Sequence, residues 1–453
     1  MSTAALLWLD SLQGSGIRPG LGRMRVLLRT LGRPERACPS IIVAGTNGKG
    51  STSATLASIL NASGYRTGLY TSPHLVELRE RWMIGGAMID DASLSLAIER
   101  LRVASERTAI TPTYFEALTL IAFIAFAEAK CDLMVLEVGM GGRLDATNVV
   151  RPLAALITPI GVDHTEFLGR TIRKIAGEKA GVIHRGAIVL TSNDDRRVLE
   201  VLSRRAAKFD CPFQVVTSTH ATPLVGAFQQ RNAALAVRAA RELGPLLPKR
   251  SAGGPPAGPP KPALSETEGA RRHVAKNRQR AAGGPADEPS ALRAAKITPG
   301  SIERGVATTQ WRGRLERIEH GGKEIWVDGG HNAHAIAAIV PFIAERVAVP
   351  RLLVFGIMGD KDIADVTAAL FPPFDAIITT EPYPPRSAPA AQLAEIASGM
   401  SIDAAAEPDP KRAIERALAS RYQSIVIAGS LYLAGAAIEF LDAHRENHRD
   451  DQQ

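Results

Sequence analysis

Residues 44–52 read AGTNGKGST and directly follow the apolar run SIIV. The usual phosphate-loop signature is G-x-x-x-x-G-K-[ST]. Here Gly48 and Lys49 supply the G-K, but Val43 stands where the first glycine belongs and Gly50 separates Lys49 from Ser51. The physical requirements are nevertheless met. An anion cradle needs a strand to deliver the chain, small residues that let backbone N–H groups approach, a helix amino end and a cation. The stretch offers the strand IIVAG, the small residues Gly45, Gly48 and Gly50, the cation Lys49, and the helical run STSATLASIL beginning at Ser51 or Thr52. It predicts a nucleotide-phosphate site. An ordinary glycine turn before a helix is the competing reading of this stretch taken alone.

Nucleotide chemistry also calls for Mg²⁺, a hard cation that takes oxygen ligands and keeps some waters. Glu137 ends the apolar run LMVLEVG. A carboxylate closing a buried strand is costly unless a cation or hydrogen bonds compensate it. His164, after LITPIGVD, holds a similar strand-end position. Singly, Glu137 reads equally as a helix-cap partner or exposed strand end, and His164 as a structural histidine.

These residues need elements to position them. From residue 41 to about 243, short Val- and Ile-rich runs alternate with amphipathic stretches: IIVAG, LMVLEVG, AALITPIG and AIVLTS, each followed by a helical pattern. That rhythm predicts βα units and a parallel sheet covered on both faces. The helix after the loop is expected to end near Gly64. Residues 245–296 break the rhythm with proline, glycine and basic residues and few large apolar side chains. Such a composition buries too little surface to offset the entropy of ordering, and it predicts a mobile surface insertion; a basic arm for nucleic acid or a partner is the alternative. After it come EIWVDGGHNAHA, RLLVFGIMGDKD, AIITTEPYPP and SIVIAGSLYLAG, four strand-like runs whose carboxyl ends are polar or glycine-rich. Those are the ends at which doubly wound sheets place ligands. The expected fold is α/β: a phosphate-loop-containing parallel-sheet ATPase domain over residues 1–310, then a smaller, doubly wound, Rossmann-like domain over 311–453. The cleft between them is the natural active site.

At 453 residues the chain exceeds the size at which single cores stop growing, and 45% hydrophobic residues suffice to fill two. No apolar run reaches the roughly 18–20 residues that span a bilayer. The start, MSTAALLWLDSLQGSG, lacks a basic n-region, so a cytoplasmic protein with no membrane partner is expected. Three cysteines, Cys38, Cys131 and Cys211, without C-x-x-C spacing, argue against a disulfide framework or a cysteine metal site. The net charge of +8 suggests nucleic acid until it is located: residues 249–296 carry ten Lys and Arg against four Asp and Glu, which is +6 of the total. The remainder is nearly neutral, and no nucleic-acid partner is expected.

The stretches AGTNGKGST, TSPHL, LEVGMGGRLDATN, GVDHTEFLG, GEKAGVI, VDGGHNAHA and GSLYLAG, in this order, resemble the folylpolyglutamate synthase and dihydrofolate synthase family of the Mur ligase superfamily. In that family the loop is normally T-N-G-K-G-[ST], so the misfit is the family's own form. The resemblance implies an ATP-dependent ligase: ATP activates a pteroate or folate carboxylate as an acyl phosphate, and the amine of glutamate attacks it. It implies nucleotide contacts from Thr46, Asn47, Gly48, Lys49, Gly50, Ser51, Thr52, Asn232, Arg314 and Asp328, and Mg²⁺ ligands Ser72, Glu137 and His164. Lys179 of GEKAG matches a lysine that is carbamylated in the family, becoming an anionic ligand for a second metal. Asp328 and His331 match residues that close over the reacting groups. Lys49, Lys179, His331 and Asp328 are thus the implied catalytic set. Two departures stand out. The family reads D-x-A-H-N-P-H where this chain has Gly330 and Ala333, and the QQRN stretch of Asn232 lacks the usual His before Gln. Ser430 and Tyr432 fit motif positions with packing or substrate support as their role.

PTYFEALT resembles the version in bacterial bifunctional enzymes, where an aromatic residue lies near the pterin. With Arg81 of RERW and Glu166 of DHTEF, Phe115 is the expected pterin-side contact, a structural role for its ring being the alternative. The expected acceptors are dihydropteroate and reduced folates, with L-glutamate and ATP as co-substrates, and the expected state is a monomer. A monofunctional folylpolyglutamate synthase is the near alternative. A cell-wall Mur ligase would need a nucleotide-sugar domain before the loop, for which about 40 residues are too few. A non-catalytic ATP switch or nucleic-acid adaptor would not need Lys49, Glu137, His164 and His331 together.

Overall fold

The computed structural model describes residues 3–16, 18–247 and 295–450. The expected mobile insertion at 245–296 therefore lies almost wholly outside the described residues. Two sheets organise the rest. The first has eight strands: β1 (Ser40–Ala44), β2 (Thr67–Tyr70), β3 (Trp82–Ile84), β4 (Ala87–Met88), β5 (Leu133–Glu137), β6 (Ala154–Ile157), β7 (Ile188–Thr191) and β8 (Phe213–Val215), in the order β4-β3-β2-β5-β1-β6-β7-β8. From β2 to β8 all neighbours are parallel. β1 and β5 are buried at every position, as strands covered on both faces must be. β1 lies between β5 and β6, so the chain reverses its direction of travel across the sheet there, and the crevice beyond their carboxyl ends is the ligand position of an open α/β sheet.

The sheet is not parallel throughout, as the alternating runs had suggested. β3 and β4 are antiparallel additions at one edge. They turn at Gly85 and Gly86, both with positive φ (62° and 95°), the left-handed pair that a two-residue hairpin requires.

The second sheet has six strands, β9 (Glu316–His320), β10 (Lys323–Val327), β11 (Arg351–Phe355), β12 (Ala376–Thr379), β13 (Asp403–Ala406) and β14 (Ser424–Ala428), ordered β13-β12-β11-β14-β10-β9. The four apolar runs are β10, β11, β12 and β14. The two further strands sit at the edges, where half-exposed sequences such as DAAA carry no continuous apolar signal. β9 pairs antiparallel with β10, and the others are parallel.

The helix after the phosphate loop, Lys49–Ala62, starts two residues earlier than expected and stops before Gly64, whose φ is +90°. It is buried on nearly every side from Ser51 to Leu60, because helix Pro299–Ala307 closes over the face away from the sheet. A Cβ on Gly305 would come within 2.3 Å of the Ile59 Cα. The returning chain thus fixes this helix, and with it the loop at its amino end.

Candidate active site

The carboxyl ends of both sheets open on one cavity of about 570 Å³. The first sheet contributes the loop after β1, Glu137 at the end of β5, Asp163 and His164 after β6, and Ser192 after β7. The second contributes Asp328 and His331 after β10, Met358 and Lys361 after β11, Arg386 after β12, and Ser430 and Tyr432 after β14.

Gly48 caps the loop helix with φ +85°, a left-handed conformation that a side chain would strain. A Cβ there would also lie 2.4 Å from Asn232 Oδ1. Gly45 faces Thr158 Oγ1 at 1.8 Å from its would-be Cβ, and Gly50 faces Trp311 at 2.5 Å. Close packing therefore demands all three glycines. The loop is held from outside as well: Thr46 N donates to Pro159 O (3.0 Å), and the Thr46 hydroxyl exchanges hydrogen bonds with Gly161. Lys49 Nζ donates to Thr46 O at 3.0 Å, so it curls over the loop and into the cavity. Thr46, Asn47, Gly48, Lys49, Gly50 and Ser51 line the cavity. Thr52 does not: it is fully buried one step down the helix, and its hydroxyl has no partner.

Glu137 is 4% exposed and accepts a hydrogen bond from Ser72 N at 3.1 Å. Burial raises its pKa, opposed by Lys49, by the Ser72 N–H, and by Arg314 and Arg81. A carboxylate in this state profits from a cation. Among the described residues no three His, Cys, Asp or Glu side chains converge as a metal cluster. A mixed set of Glu137, Ser72 and His164, all on the cavity wall, matches the habit of Mg²⁺ of taking few protein ligands and completing its shell with water and phosphate oxygens.

Lys179 is 4% exposed and donates to Gly45 O at 2.7 Å. Burial, reinforced by Lys49, pushes its pKa down to about 7. A large share of the amine is thus neutral near neutral pH, the state in which it reacts with electrophiles such as CO₂.

On the second domain, Asp328 is 3% exposed and accepts from Leu315 N (2.9 Å) and Gly330 N (2.6 Å). Burial raises its pKa and Arg314 opposes the rise. The His331 ring nitrogen Nδ1 lies 2.8 Å from Gly329 O, and burial together with Lys361 lowers its pKa to about 4. His331 is therefore neutral at physiological pH, with Nε2 free to act as an acceptor when Nδ1 carries the proton.

The domains meet through a polar network that sequence reasoning did not single out. Asn47 Nδ2 donates to Asn332 Oδ1 (3.0 Å) and lies 2.9 Å from His334 Nδ1, while Asn332 Nδ2 donates to Asp163 Oδ2 (3.0 Å). Lys361 Nζ pairs with Asp163 Oδ1 at 2.9 Å, both side chains being about 10% exposed. Burial alone would raise the Asp163 pKa, but His164, Lys361 and His331 hold it well below the usual range. The signals were present, Asp163 beside His164 and Lys361 in the strand-end run GDKD, but only the docked domains show that the two charges meet.

Asn232 lines the cavity behind Gly48 and donates to Gln229 Oε1 at 3.0 Å. The expected pterin-side residues do not line it. Arg81 is buried and donates to His74 Nδ1 at 2.8 Å. The Phe115 ring lies on Gly139 and is tilted against Tyr70, 6.3 Å between centroids. Glu166 is exposed on the short helix Thr165–Leu168. Arg81 is held inside the fold by His74, whereas Phe115 is only partly buried and packs on Gly139 of the cavity wall.

Family models of the Mur ligase middle domain and of the Mur ligase glutamate ligase domain match residues 43–222 and 313–431. The chain belongs to the Mur ligases, within the dihydrofolate synthase/folylpolyglutamate synthase family. It is 30% identical to the Bacillus subtilis dihydrofolate synthase/folylpolyglutamate synthase, over 94% of this chain and 95% of that one. The Lacticaseibacillus casei folylpolyglutamate synthase is 31% identical, over 92% and 94%. The structure of E. coli FolC in complex with DHPP and ADP superposes with a TM-score of 0.79 at 27% identity, covering 97% of this chain and 98% of that one. This Mur ligase is an ATP-dependent enzyme, and among its described residues no helix is long and apolar enough to cross a membrane.

Proposed function

We propose that this ligase adds L-glutamate to dihydropteroate and then to the γ-carboxylate of reduced folates, acting as a cytoplasmic monomer. One observation carries the reading: a lysine-bearing phosphate loop and a buried carboxylate on one domain face Asp328, His331 and Arg314 of the other across a single cavity. That arrangement suits a reaction whose two halves share one intermediate. The acceptor carboxylate attacks the γ-phosphorus of ATP, ADP leaves, and an acyl phosphate results. The glutamate amine then attacks the acyl carbon and phosphate leaves, giving the amide.

In this reading the nucleotide-binding part spans residues 1–310 and the glutamate-ligating part 311–453. Lys49 and the N–H groups of residues 46–51 neutralise charge building on the β- and γ-phosphates. Arg314 reaches the nucleotide from the second domain, Asn232 meets the base side, and Asp328 fixes the Leu315 and Gly330 N–H groups within the field of Arg314. Neutral His331 accepts a proton as the amine adds. Ser72, Glu137 and His164 would hold Mg²⁺, which supplies Lewis-acid polarisation of the phosphoryl oxygens. Lys179 would join a second metal only once carbamylated, which would turn the amine into an anionic oxygen ligand. Phe115, resting on Gly139 of the cavity wall, shapes the pterin end, with Arg81 and Glu166 as the further pterin-side residues.

The test is ADP release by the purified chain with ATP, Mg²⁺ and glutamate, comparing dihydropteroate with tetrahydrofolate. Dependence on glutamate and on both acceptors is expected. Turnover with tetrahydrofolate alone would make the enzyme monofunctional, and ADP release indifferent to acceptor and glutamate would overturn the reading.

A further inference from the structure

Of the three loop glycines, the one that separates Lys49 from Ser51 is the one whose backbone does not require it. Gly45 and Gly48 have φ of +149° and +85°, whereas Gly50 lies in the first turn of the helix Lys49–Ala62, where glycine weakens a helix relative to alanine. What bars a side chain there is a ring from elsewhere in the chain. A Cβ on Gly50 would come within 2.5 Å of Trp311 Cζ2, 2.9 Å of Cε2 and 3.0 Å of Nε1. The indole therefore rests directly against the main chain of the phosphate loop. It is half-buried and packs on the apolar cluster that contains Ala54, Ala57 and Val306.

Trp311 stands in the linker between the two sheets, and both ends of that linker are tied down. On the first side, Thr309 N donates to Val306 O (3.1 Å) and the Thr309 hydroxyl to Gly305 O (2.9 Å). Ser58 Oγ of the loop helix donates to the same carbonyl at 2.6 Å. On the second side, Arg312 pairs with Glu316 (2.9 Å) and Asp442 (3.2 Å). Gly313 N donates to Glu316 Oε2 (2.8 Å), and Gly313 O accepts from Gly329 N (2.9 Å). Arg314 comes next in the chain. Its Nη1 donates to Gly313 O at 2.8 Å, and the side chain lines the cavity.

We propose that Trp311 is the positioning residue for Arg314: the indole seats the linker on Gly50 and so sets the reach of the guanidinium toward phosphates held by the same loop. This rests on the nucleotide roles proposed for the loop and for Arg314. A cation that meets developing charge from a second domain stabilises it only when closely placed, and a displacement of about 1 Å is costly. Without the ring, that placement would depend on how two whole sheets dock. With it, Arg314 is referred to the loop backbone through a contact three residues away. The inserted glycine and the tryptophan are two halves of one contact, the loop lacking a side chain where the linker lies on it.

The experiment uses the full chain with Mg²⁺, tetrahydrofolate and glutamate saturating, and measures kcat and the ATP KM, with ADP affinity by direct titration. The variants are Trp311→Phe, Trp311→Ala, Arg314→Ala and the double alanine variant. Trp311→Phe keeps a ring on Gly50 and should stay within about threefold of wild type. Trp311→Ala should lower kcat at least about tenfold, while ADP affinity holds within about threefold, because ADP lacks the phosphoryl group whose transfer Arg314 assists. In the double variant the loss should match that of Arg314→Ala alone, since a residue acting through Arg314 has nothing left to place. Wild-type kcat in Trp311→Ala overturns the proposal, as does a double variant whose loss is the product of the two single losses. A fall in ADP affinity as large as the fall in kcat assigns the ring to shaping the loop itself and overturns it too. Where circular dichroism melts show Trp311→Ala misfolded, Trp311→Leu, which keeps apolar volume over the core, enters the same cycle with the same expected and overturning results. Arg314→Ala separates the two readings: normal turnover in it overturns the Arg314 role and the positioning with it, whereas an impaired Arg314→Ala beside a normal Trp311→Ala sinks only the positioning.

Discussion

Lys49 is the residue on which the loop's function turns, because it is the cation that faces the cavity from the helix amino end. Its charge is local and its hydrogen bond is to the loop itself, so Lys49→Ala should lose at least about a thousandfold in ligase turnover. Its thermal midpoint should stay within a few degrees of wild type; normal turnover would reject the phosphate-loop assignment. Lys361 makes a different kind of contribution. It neutralises Asp163 in an ion pair that is almost closed to solvent, and removing one partner of such a pair leaves the other charge buried. Lys361→Met should therefore destabilise by roughly 3 kcal/mol, and adding Asp163→Asn should recover part of that loss in a thermal-melt double-mutant cycle. His331 sets a pH dependence. Its folded pKa of about 4 lies below the ordinary value of 6.5, so between those values the unfolded chain takes up the proton and the folded one does not. Stability from this group is complete above about pH 6.5 and declines toward pH 4. His331→Gln should flatten that part of a stability-against-pH profile, and an unchanged slope would show that the ring is not held neutral.

The loop and its helix work as one element, and their tolerance is set by contacts from distant parts of the chain. Gly48 combines a positive φ with an approach to Asn232 that leaves no room for a methyl group. Gly48→Ala should accordingly displace the loop and cost more nucleotide affinity than stability, measured by ADP titration against the melt; a variant with wild-type ADP binding would show that the loop can shift without loss. The strand, the helix and the loop between them were legible from apolar runs and small residues. The edge strands β3, β4, β9 and β13 were not, because short half-exposed strands carry little periodic signal and owe their existence to a neighbour already in place. Thr52 shows the same limit at finer grain. Its place in the motif suggested a ligand contact, but the helix starts at Lys49 and turns that hydroxyl into the interior.

At the scale of the whole molecule, the two domains press together at a backbone contact. A Cβ on Gly435, in the helix Leu431–Asp450, would come within 2.1 Å of Leu75 O on the first domain. That atom belongs to main chain and cannot swing aside, so Gly435→Ala must move one domain relative to the other. Small-angle scattering should report a more open particle and turnover should fall by about tenfold or more, while each domain keeps its own core; wild-type activity in this variant would mean that the cleft closes independently of this contact. The sequence by itself determined the α/β class, the two apolar repeats and the order of polar strand ends, because burial on both faces of a parallel sheet writes a continuous apolar run and a ligand site needs small and charged residues just beyond it. Only the tertiary structure decided which of those strand ends share a cavity, that Asp163 meets Lys361 and Asn47 meets Asn332, and that Phe115 turns to Gly139 while Tyr432 turns to Tyr383. The physical reason is that the Asp163–Lys361 and Asn47–Asn332 pairings depend on how the two sheets dock, and the two ring contacts on which loops of one sheet end side by side. Docking is fixed by shape and close approach between residues 198 and 285 positions apart, a distance at which no local spacing carries information.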